Sequence, residues 1–588
     1  MQILQRSLSQ ISPWRFLVAP LCLFLVTAPS AKPGDLDLTF GAGTGKVLIS
    51  AANMYEHEAV STFQPDGKLL VGGICRPTAT LGPDRTCISR FLTNGEIDTS
   101  FATAGTFIGK WNECAGGGAL ALLPSGEVMF GGVVGQTGLP VIGFPTTTQT
   151  SFCVSRLSGS GVLDSTFGLS GIAAISIPGT AYARNSPITL TPLADNRMLI
   201  SGSCDLLAPQ AGSTKICAAR IFSDGSGDTT FADNGALVLN YATKFDSLAT
   251  TTATDTSIFF TGFCAATTPG VGNVMCVTKT NLNGVISTSF AATGRASILP
   301  SGFASADGSE LLAFADGSAG LVSGACTDAT ARRGCLVKLL ANGSVDTDFG
   351  ANGLLLDWSS HAMSGMSPLL FSRDQSQIII SGRCGNSLTI NSPCVWRMSS
   401  SGIPDATFGT SGVVKIEFPP TLKTFGRYGT HQQSNGKIVS AASCVYSNGD
   451  EDFCITRLLD KEGYFDIDGD NQTRPDTDGL LFLRHLLGFR DVALTKGAMG
   501  TLADRSNGVD ITTYLSTANA SYPNCSANVL GAPAGPSAIL DGVVLLRAMI
   551  GLTGNAVTNG LVFPQGALRA NWNDIKLYLN MNCGMALN

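Results

Sequence analysis

Leu163-Asp164-Ser165-Thr166-Phe167-Gly168 is one of seven copies of a single phrase: a small or turn residue, often Asp, then Thr or Ser, a Phe and a Gly-containing turn. The others are Leu36-Asp37-Leu38-Thr39-Phe40-Gly41, Ile97-Asp98-Thr99-Ser100-Phe101, Asp228-Thr229-Thr230-Phe231, Ser287-Thr288-Ser289-Phe290, Val345-Asp346-Thr347-Asp348-Phe349-Gly350 and Pro404-Asp405-Ala406-Thr407-Phe408-Gly409. Successive Phe residues stand 61, 66, 64, 59, 59 and 59 positions apart. A near-constant period filled with short apolar runs and turns signals one supersecondary unit copied in series.

Working outward through the first copy, residues 46–50, 59–64, 68–75 and 87–92 read as four antiparallel strands of one unit. Pro65-Asp66-Gly67-Lys68 is the hairpin turn, with Gly67 supplying the positive φ that a two-residue connection demands. Two residues before the recurring cysteine position stand Gly73, Gly132, Gly202, Gly262, Gly324 and Gly382, with Ala442 in the last copy. Such a restriction predicts a close layer there, as between sheets stacked face to face. Seven four-stranded units can close into a β-propeller or form an open stack. An open stack needs atypical polar ends, whereas the first and seventh units are as apolar as the rest, so the expected fold is a mainly β, seven-bladed propeller of four-stranded antiparallel blades. The phrase Asp is expected to hold the turn between blades and the Phe to plug the gap.

The first thirty residues read as a secretory signal, with Arg6 and Arg15 ahead of an apolar run and Ala28-Pro29-Ser30 as the cleavage site. The expected destination is secreted, extracellular or cell-surface, with the periplasm left open. Beyond the signal no segment reaches the ~18 uninterrupted apolar residues of a membrane span. A net charge of -6, with only 14% of residues charged, gives no basic footprint for nucleic acid.

Of the 17 cysteines, Cys22 leaves with the signal, and an even number in an exported chain reads as disulfides. Six pairs recur at the same place in six repeats: Cys75 with Cys87, Cys204 with Cys217, Cys264 with Cys276, Cys326 with Cys335, Cys384 with Cys394, and Cys444 with Cys454. The second repeat has Val134 at the first cysteine position, so Cys153 is expected to pair with Cys114. Cys525 and Cys583 complete the set. Metal binding by these thiols is the competing reading, but Cys-x-x-Cys knuckles are missing and His numbers only 4.

The phrase at this spacing resembles the bacterial delta-60 repeat family, marked by Leu-Asp-x-Thr-Phe-Gly, over residues 34–459. The fourth and fifth copies depart from it, with Gly227 and Ile286 before Asp228 and Ser287, and Ala after the Phe. The resemblance implies a propeller-like surface protein.

After Asp460 the composition changes. Acids cluster in Asp466-Ile467-Asp468-Gly469-Asp470-Asn471-Gln472 and Asp476-Thr477-Asp478-Gly479. Carboxylates at alternate positions of a tight loop converge on one point, as a hard cation requires. Calcium is the expected occupant, with Asp466, Asp468 and Asp470 as the first ligands, Gln472 through its carbonyl and Asp478 closing the loop, Asp476 being a rival closer. Leu480, Leu481, Leu483, Leu486 and Leu487 are expected to form the apolar face of a following helix. Residues 466–489 resemble a dockerin or single EF-hand loop, which implies a cohesin-like partner. A second copy follows: Asp541-Gly542-Val543-Val544-Leu545-Leu546-Arg547 repeats Asp478-Gly479-Leu480-Leu481-Phe482-Leu483-Arg484, but Asn528, Leu530 and Ala532 replace the first acids, so no metal is expected there. The domains are therefore a signal (1–30), the propeller (31–459) and a small duplicated α-helical calcium-loop domain (460–588).

Signs of catalysis are few. His57, His361, His431 and His485 lie in different units, and no Gly-x-Ser-x-Gly occurs. Gly41-Ala42-Gly43-Thr44-Gly45-Lys46 lacks the phosphate-loop spacing. Variable loops on a rigid propeller carry recognition. The reading is an exported, calcium-binding, non-enzymatic adhesion or binding protein with a carbohydrate or protein ligand; the alternative is a secreted polysaccharide hydrolase or lyase, or a cellulosome-like component.

Overall fold

The computed structural model describes residues 33–587 except 39, 50–53, 78–83, 111–113, 135–150, 183–186, 208–210, 242–244, 269, 315–318, 357–362, 373–376, 388–389, 419–421, 434–435, 447–449, 461–463, 470–472, 501–502, 504, 518–524, 584 and 586. The expected signal lies outside the described residues. Seven antiparallel sheets are present, each with its strands in sequence order except the one that closes the circle. Six have four strands; in the third blade the first strand is interrupted, Thr180–Tyr182 and Thr189–Pro192 both pairing with Met198–Leu206.

The boundary of the blade differs from the sequence reading. Lys46–Ile49 is not the first strand of the first blade. It is the outermost strand of the last, paired with Glu451–Leu458 beside Ile438–Tyr446 and Leu422–Gln432. The first blade runs from Met54–Phe63 through Leu69–Pro77 and Arg85–Phe91 to Thr106–Ile108. Each later blade likewise takes its outer strand from the segment after the phrase. An open stack is excluded, because the last blade also meets the first at the centre: His431 Nε2 lies 2.7 Å from Ser61 O, and Ala59 N donates to Ser443 Oγ at 3.1 Å. Thr191 and Thr252 make the corresponding bonds at other seams, to Thr251 O and Leu311 O.

Among the described residues, five of the seven seams are built from the phrase and an arginine that sequence reading missed. In the first blade Asp98 Oδ1 accepts from Ser100 N and Oγ at 3.1 and 2.6 Å, which fixes the turn, while Oδ2 accepts from Arg90 Nε at 2.9 Å. The guanidinium lies over Phe101 at 4.7 Å and donates to Gly159 O of the next blade at 2.6 Å. Burial alone would raise the Asp98 carboxyl; hydrogen bonds from Ser100 and Lys68 and the Arg90 charge outweigh it and hold the group at about 2. Arg156–Asp164–Phe167, Arg220–Asp228–Phe231 and Arg397–Asp405–Phe408 repeat the arrangement. Arg457 completes it across the closure, gripping Asp37 at 2.6 Å and lying 4.6 Å over Phe40. All seven phrase Phe residues are buried. Phe40 sits so close to the neighbouring turn that a Cβ on Gly95 would lie 2.7 Å from its edge.

Of the glycines before the cysteine position, Gly262 and Gly324 are crowded chiefly from within their own blade. A Cβ on Gly262 would lie 1.9 Å from Ser247 O, and one on Gly324 2.0 Å from Asp307 O, where the first strand bulges. At Gly202 a neighbouring blade's Phe152 contributes as expected, 2.7 Å away.

Beyond the propeller the chain forms short helices in two matching halves. Leu480–Leu486, Asp491–Thr495 and Gly508–Thr517 correspond to Val543–Met549, Asn555–Thr558 and Trp572–Cys583. A shared core of Phe465, Ile467, Leu481, Phe482, Ile511, Leu530, Val544, Leu545, Ile575 and Leu579 joins them. The first helix differs from expectation in its buried face: Phe482 is fully buried and Leu487 is exposed. No helix among the described residues is long and apolar enough to cross a membrane.

Candidate functional site

The acidic loop runs into a π-helical turn, Pro475–Gly479, that continues as the helix Leu480–Leu486. A π turn holds one residue more than an α turn. It returns Asp478, thirteenth in the loop counting from Asp466, to the loop's own start. There Asp478 Oδ1 accepts from Ile467 N at 2.6 Å and Asp468 N at 3.2 Å, and Oδ2 from Arg474 N at 2.9 Å and Thr477 Oγ1 at 2.8 Å.

Asp466, Asp468 and Asp478 are all buried, and each places a carboxylate oxygen within 4.8 Å of the other two. Oxygens held about 2.4 Å from one hard cation lie within about 4.8 Å of each other, so this donor set fits calcium in spacing and chemistry. Burial, with the charge of Asp468 adding to it, pushes the Asp478 carboxyl up to about 6 against its backbone hydrogen bonds. Of the two rival closers, Asp476 is exposed and Asp478 is in the cluster. Asp470 and Gln472 lie outside the described residues.

The second half separates what the loop needs from what it adds. Asp541, the counterpart of Asp478, accepts from Leu530 N at 2.8 Å and Ser537 N at 2.7 Å. Asn528 closes its own loop by exchanging hydrogen bonds with Ala532, Nδ2 to O at 2.8 Å and N to Oδ1 at 2.9 Å. The closing Asp is therefore architectural in both halves, and Asp466 and Asp468 are the additions. Residues missed in sequence reading also recur: Arg484 donates to Leu494 O and Lys496 O as Arg547 does to Val557 O and Asn559 O. The matched Leu-Leu-Phe-Leu-Arg and Val-Val-Leu-Leu-Arg runs carried that signal.

The cysteines form Cys75–Cys87, Cys114–Cys153, Cys204–Cys217, Cys264–Cys276, Cys326–Cys335, Cys384–Cys394, Cys444–Cys454 and Cys525–Cys583. In six blades the bond ties the second strand to the third at one end of the sheet, below a connecting loop. In the second blade Cys114 stands just before the first strand. Those six bonds enclose separations of 9 to 13 residues, so the loops differ in length over an identical base. His431, the partly buried histidine of the propeller seam, has its pKa lowered by desolvation, the Ser61 carbonyl acting the other way.

Residues 64–101 match the sequence profile of a family described as a beta-propeller domain of unknown function (DUF5122). No curated protein matches the chain. Among solved structures, a protein of unknown function from Dyadobacter fermentans is 10% identical over 71% of this chain and 98% of its own, with a TM-score of 0.33. An alpha-L-arabinofuranosidase from Fusarium graminearum is 11% identical over 64% of this chain and 98% of its own (TM-score 0.34), and a Hadza microbial sialidase 9% identical over 68% and 66% (TM-score 0.34). At such scores these likenesses carry nothing about activity.

Proposed function

We propose that the chain is an exported, calcium-binding recognition protein without catalytic activity, whose propeller presents its disulfide-tied loops to a carbohydrate or protein ligand. The observation that carries this reading is how the propeller's buried charge is used. The phrase carboxylates are gripped by Arg or Lys, and His431 is engaged in the closing seam. Groups so committed stabilise a frame, and recognition falls to the loops above it. Eight disulfides fit an oxidising compartment outside the cytosol. Calcium is assigned to the first helical loop, with Asp466, Asp468 and Asp478 as ligands. Glycan-array binding by the full chain, run beside a reducing-end release assay on the bound glycans, tests the reading. Binding without release supports it, and release of sugar would replace it with a secreted hydrolase or lyase.

A further inference from the structure

The guanidinium of Arg505 lies 3.9 Å over the Tyr514 ring and that of Arg569 3.6 Å over the Tyr578 ring. Arg505 donates through Nε to Ile467 O at 2.7 Å and through Nη2 to Asp466 O, and its own N–H donates to Asp468 O at 2.9 Å. Arg569 repeats all three bonds, to Val529 O, to Asn528 O at 3.0 Å and from its N–H to Leu530 O at 3.0 Å. Each tyrosine is anchored in turn, Tyr514 OH donating to Tyr464 O and Tyr578 OH accepting from Ser526 N, both at 2.9 Å. A Cβ on Gly469 or Gly531 would lie 3.0 or 2.9 Å from the guanidinium, so both loops are shaped around it.

The second loop has Asn528, Leu530 and Ala532 where the first loop's acids stand, so its shape does not depend on those carboxylates. The same clamp surrounds the first loop. We propose that the Arg505–Tyr514 and Arg569–Tyr578 stacks hold both loops in their folded shape before any metal arrives, and that Arg505 is thereby a positioning residue for the cation site. The positioning role rests on the calcium reading above; the clamp does not. Arg505 donates to the backbone carbonyls of Asp466, Ile467 and Asp468, and a guanidinium cannot itself ligate a cation, so it would act through the placement of Asp466 and Asp468.

Amide hydrogen exchange on the full chain, with EDTA and then with calcium, tests this. In EDTA the amides of Ile467 and Asp468 in the first loop and Leu530 in the second are expected to be protected in the wild type. Arg505→Ala should speed exchange in the first loop by about tenfold, with calcium restoring part of the protection, and Arg569→Ala should do the same in the second loop with calcium without effect. Arg505→Lys, which keeps the charge but not the two-pronged grip, should behave as Arg505→Ala, and Tyr514→Leu should fall between. Loss of protection in both wild-type loops in EDTA overturns the clamp whether or not the variants fold. Slowing by calcium in the wild type with Arg505→Ala unaffected overturns the positioning role alone. Calcium that leaves the wild-type first loop unchanged overturns that role together with the calcium reading.

Discussion

The propeller and the helical module are both products of duplication, yet they place their carboxylates in opposite company. In the propeller the phrase Asp meets a cation eight residues earlier on its own blade, as in Arg90–Asp98 and Arg220–Asp228, or a lysine as in Lys338–Asp346. In the first loop of the module three buried carboxylates meet each other. A buried acid with its own guanidinium is part of the frame, whereas buried acids that converge make a set of oxygen donors suited to a hard cation. The second loop, architecturally alike but stripped of three acids, is the internal control.

The sharpest way to break this comparison is to leave one propeller carboxylate without its cation. Arg220 and Asp228 have fully buried side chains. The double variant Arg220→Ala/Arg197→Ala, which strips Asp228 of both the guanidiniums that hold it, should cost about 3–5 kcal/mol in chemical denaturation. Arg156→Ala, where the Asp164 side chain keeps 28% exposure, should cost clearly less. Equal losses would mean that the seams depend on packing and not on charge.

Covalent closure should rank the regions next. Cys525–Cys583 spans 58 residues of the module and Cys326–Cys335 only 9 within a blade. By loop entropy, removing the first should cost about 4 kcal/mol and the second about 2.5, measured under non-reducing denaturation. A reversed order would place the greater strength of the staples in the propeller.

Calcium should act on one half of one region. At a hundredfold excess over Kd it should stabilise the module by about 2.7 kcal/mol, and Asp468→Ala should abolish the effect. Asp478 gives the sign of the pH dependence. Its folded value of about 6 lies above its ordinary 3.8, so without calcium its contribution is full below the ordinary value and is lost as pH rises through about 6. Calcium titrations at pH 5 and 7 should show weaker binding at the lower value, and pH-independent binding would remove Asp478 from the ligand set.

The smallest effect belongs to the closing seam. Because burial lowers the His431 pKa below 6.5, the unfolded chain takes up this proton more readily; the contribution is full above that value and declines as pH falls beneath it. His431→Thr installs the residue that bonds across another seam from Thr191. Thermal melts from pH 7 to 5 should lose part of their slope in this variant, and an unchanged slope would clear the histidine of any part in closure.

Much of the propeller was legible because its signal is local and repeated: the phrase, the hairpin turns and the cysteine spacing each recur at short range. The arginine partners were legible as well, eight residues before the phrase Asp, but a strand position facing inward reads as core until its partner is known. The strand phase was harder. Residues 46–50 look like the start of a blade, and only the phrase at Asp37 preceding the first blade, with none following Arg457, shows which blade they complete. In the module the acids and the second copy were plain, while the architectural role of Asp478 emerged only by setting its bonds beside those of Asp541. The Arg505–Tyr514 stack had a signal too, since Arg505, Asn507, Asp510, Ile511 and Tyr514 return as Arg569, Asn571, Asp574, Ile575 and Tyr578. That match shows only that the halves are alike and not that the arginine reaches back into the loop.

The strand Lys46–Ile49 finds its partner about 400 residues further along the chain. During synthesis it emerges early and must wait, as an unsatisfied edge, until the final blade has been made. Maturation of the circle is thus a late and all-or-nothing event, and a chain arrested anywhere before Glu451 would carry blades but no latch.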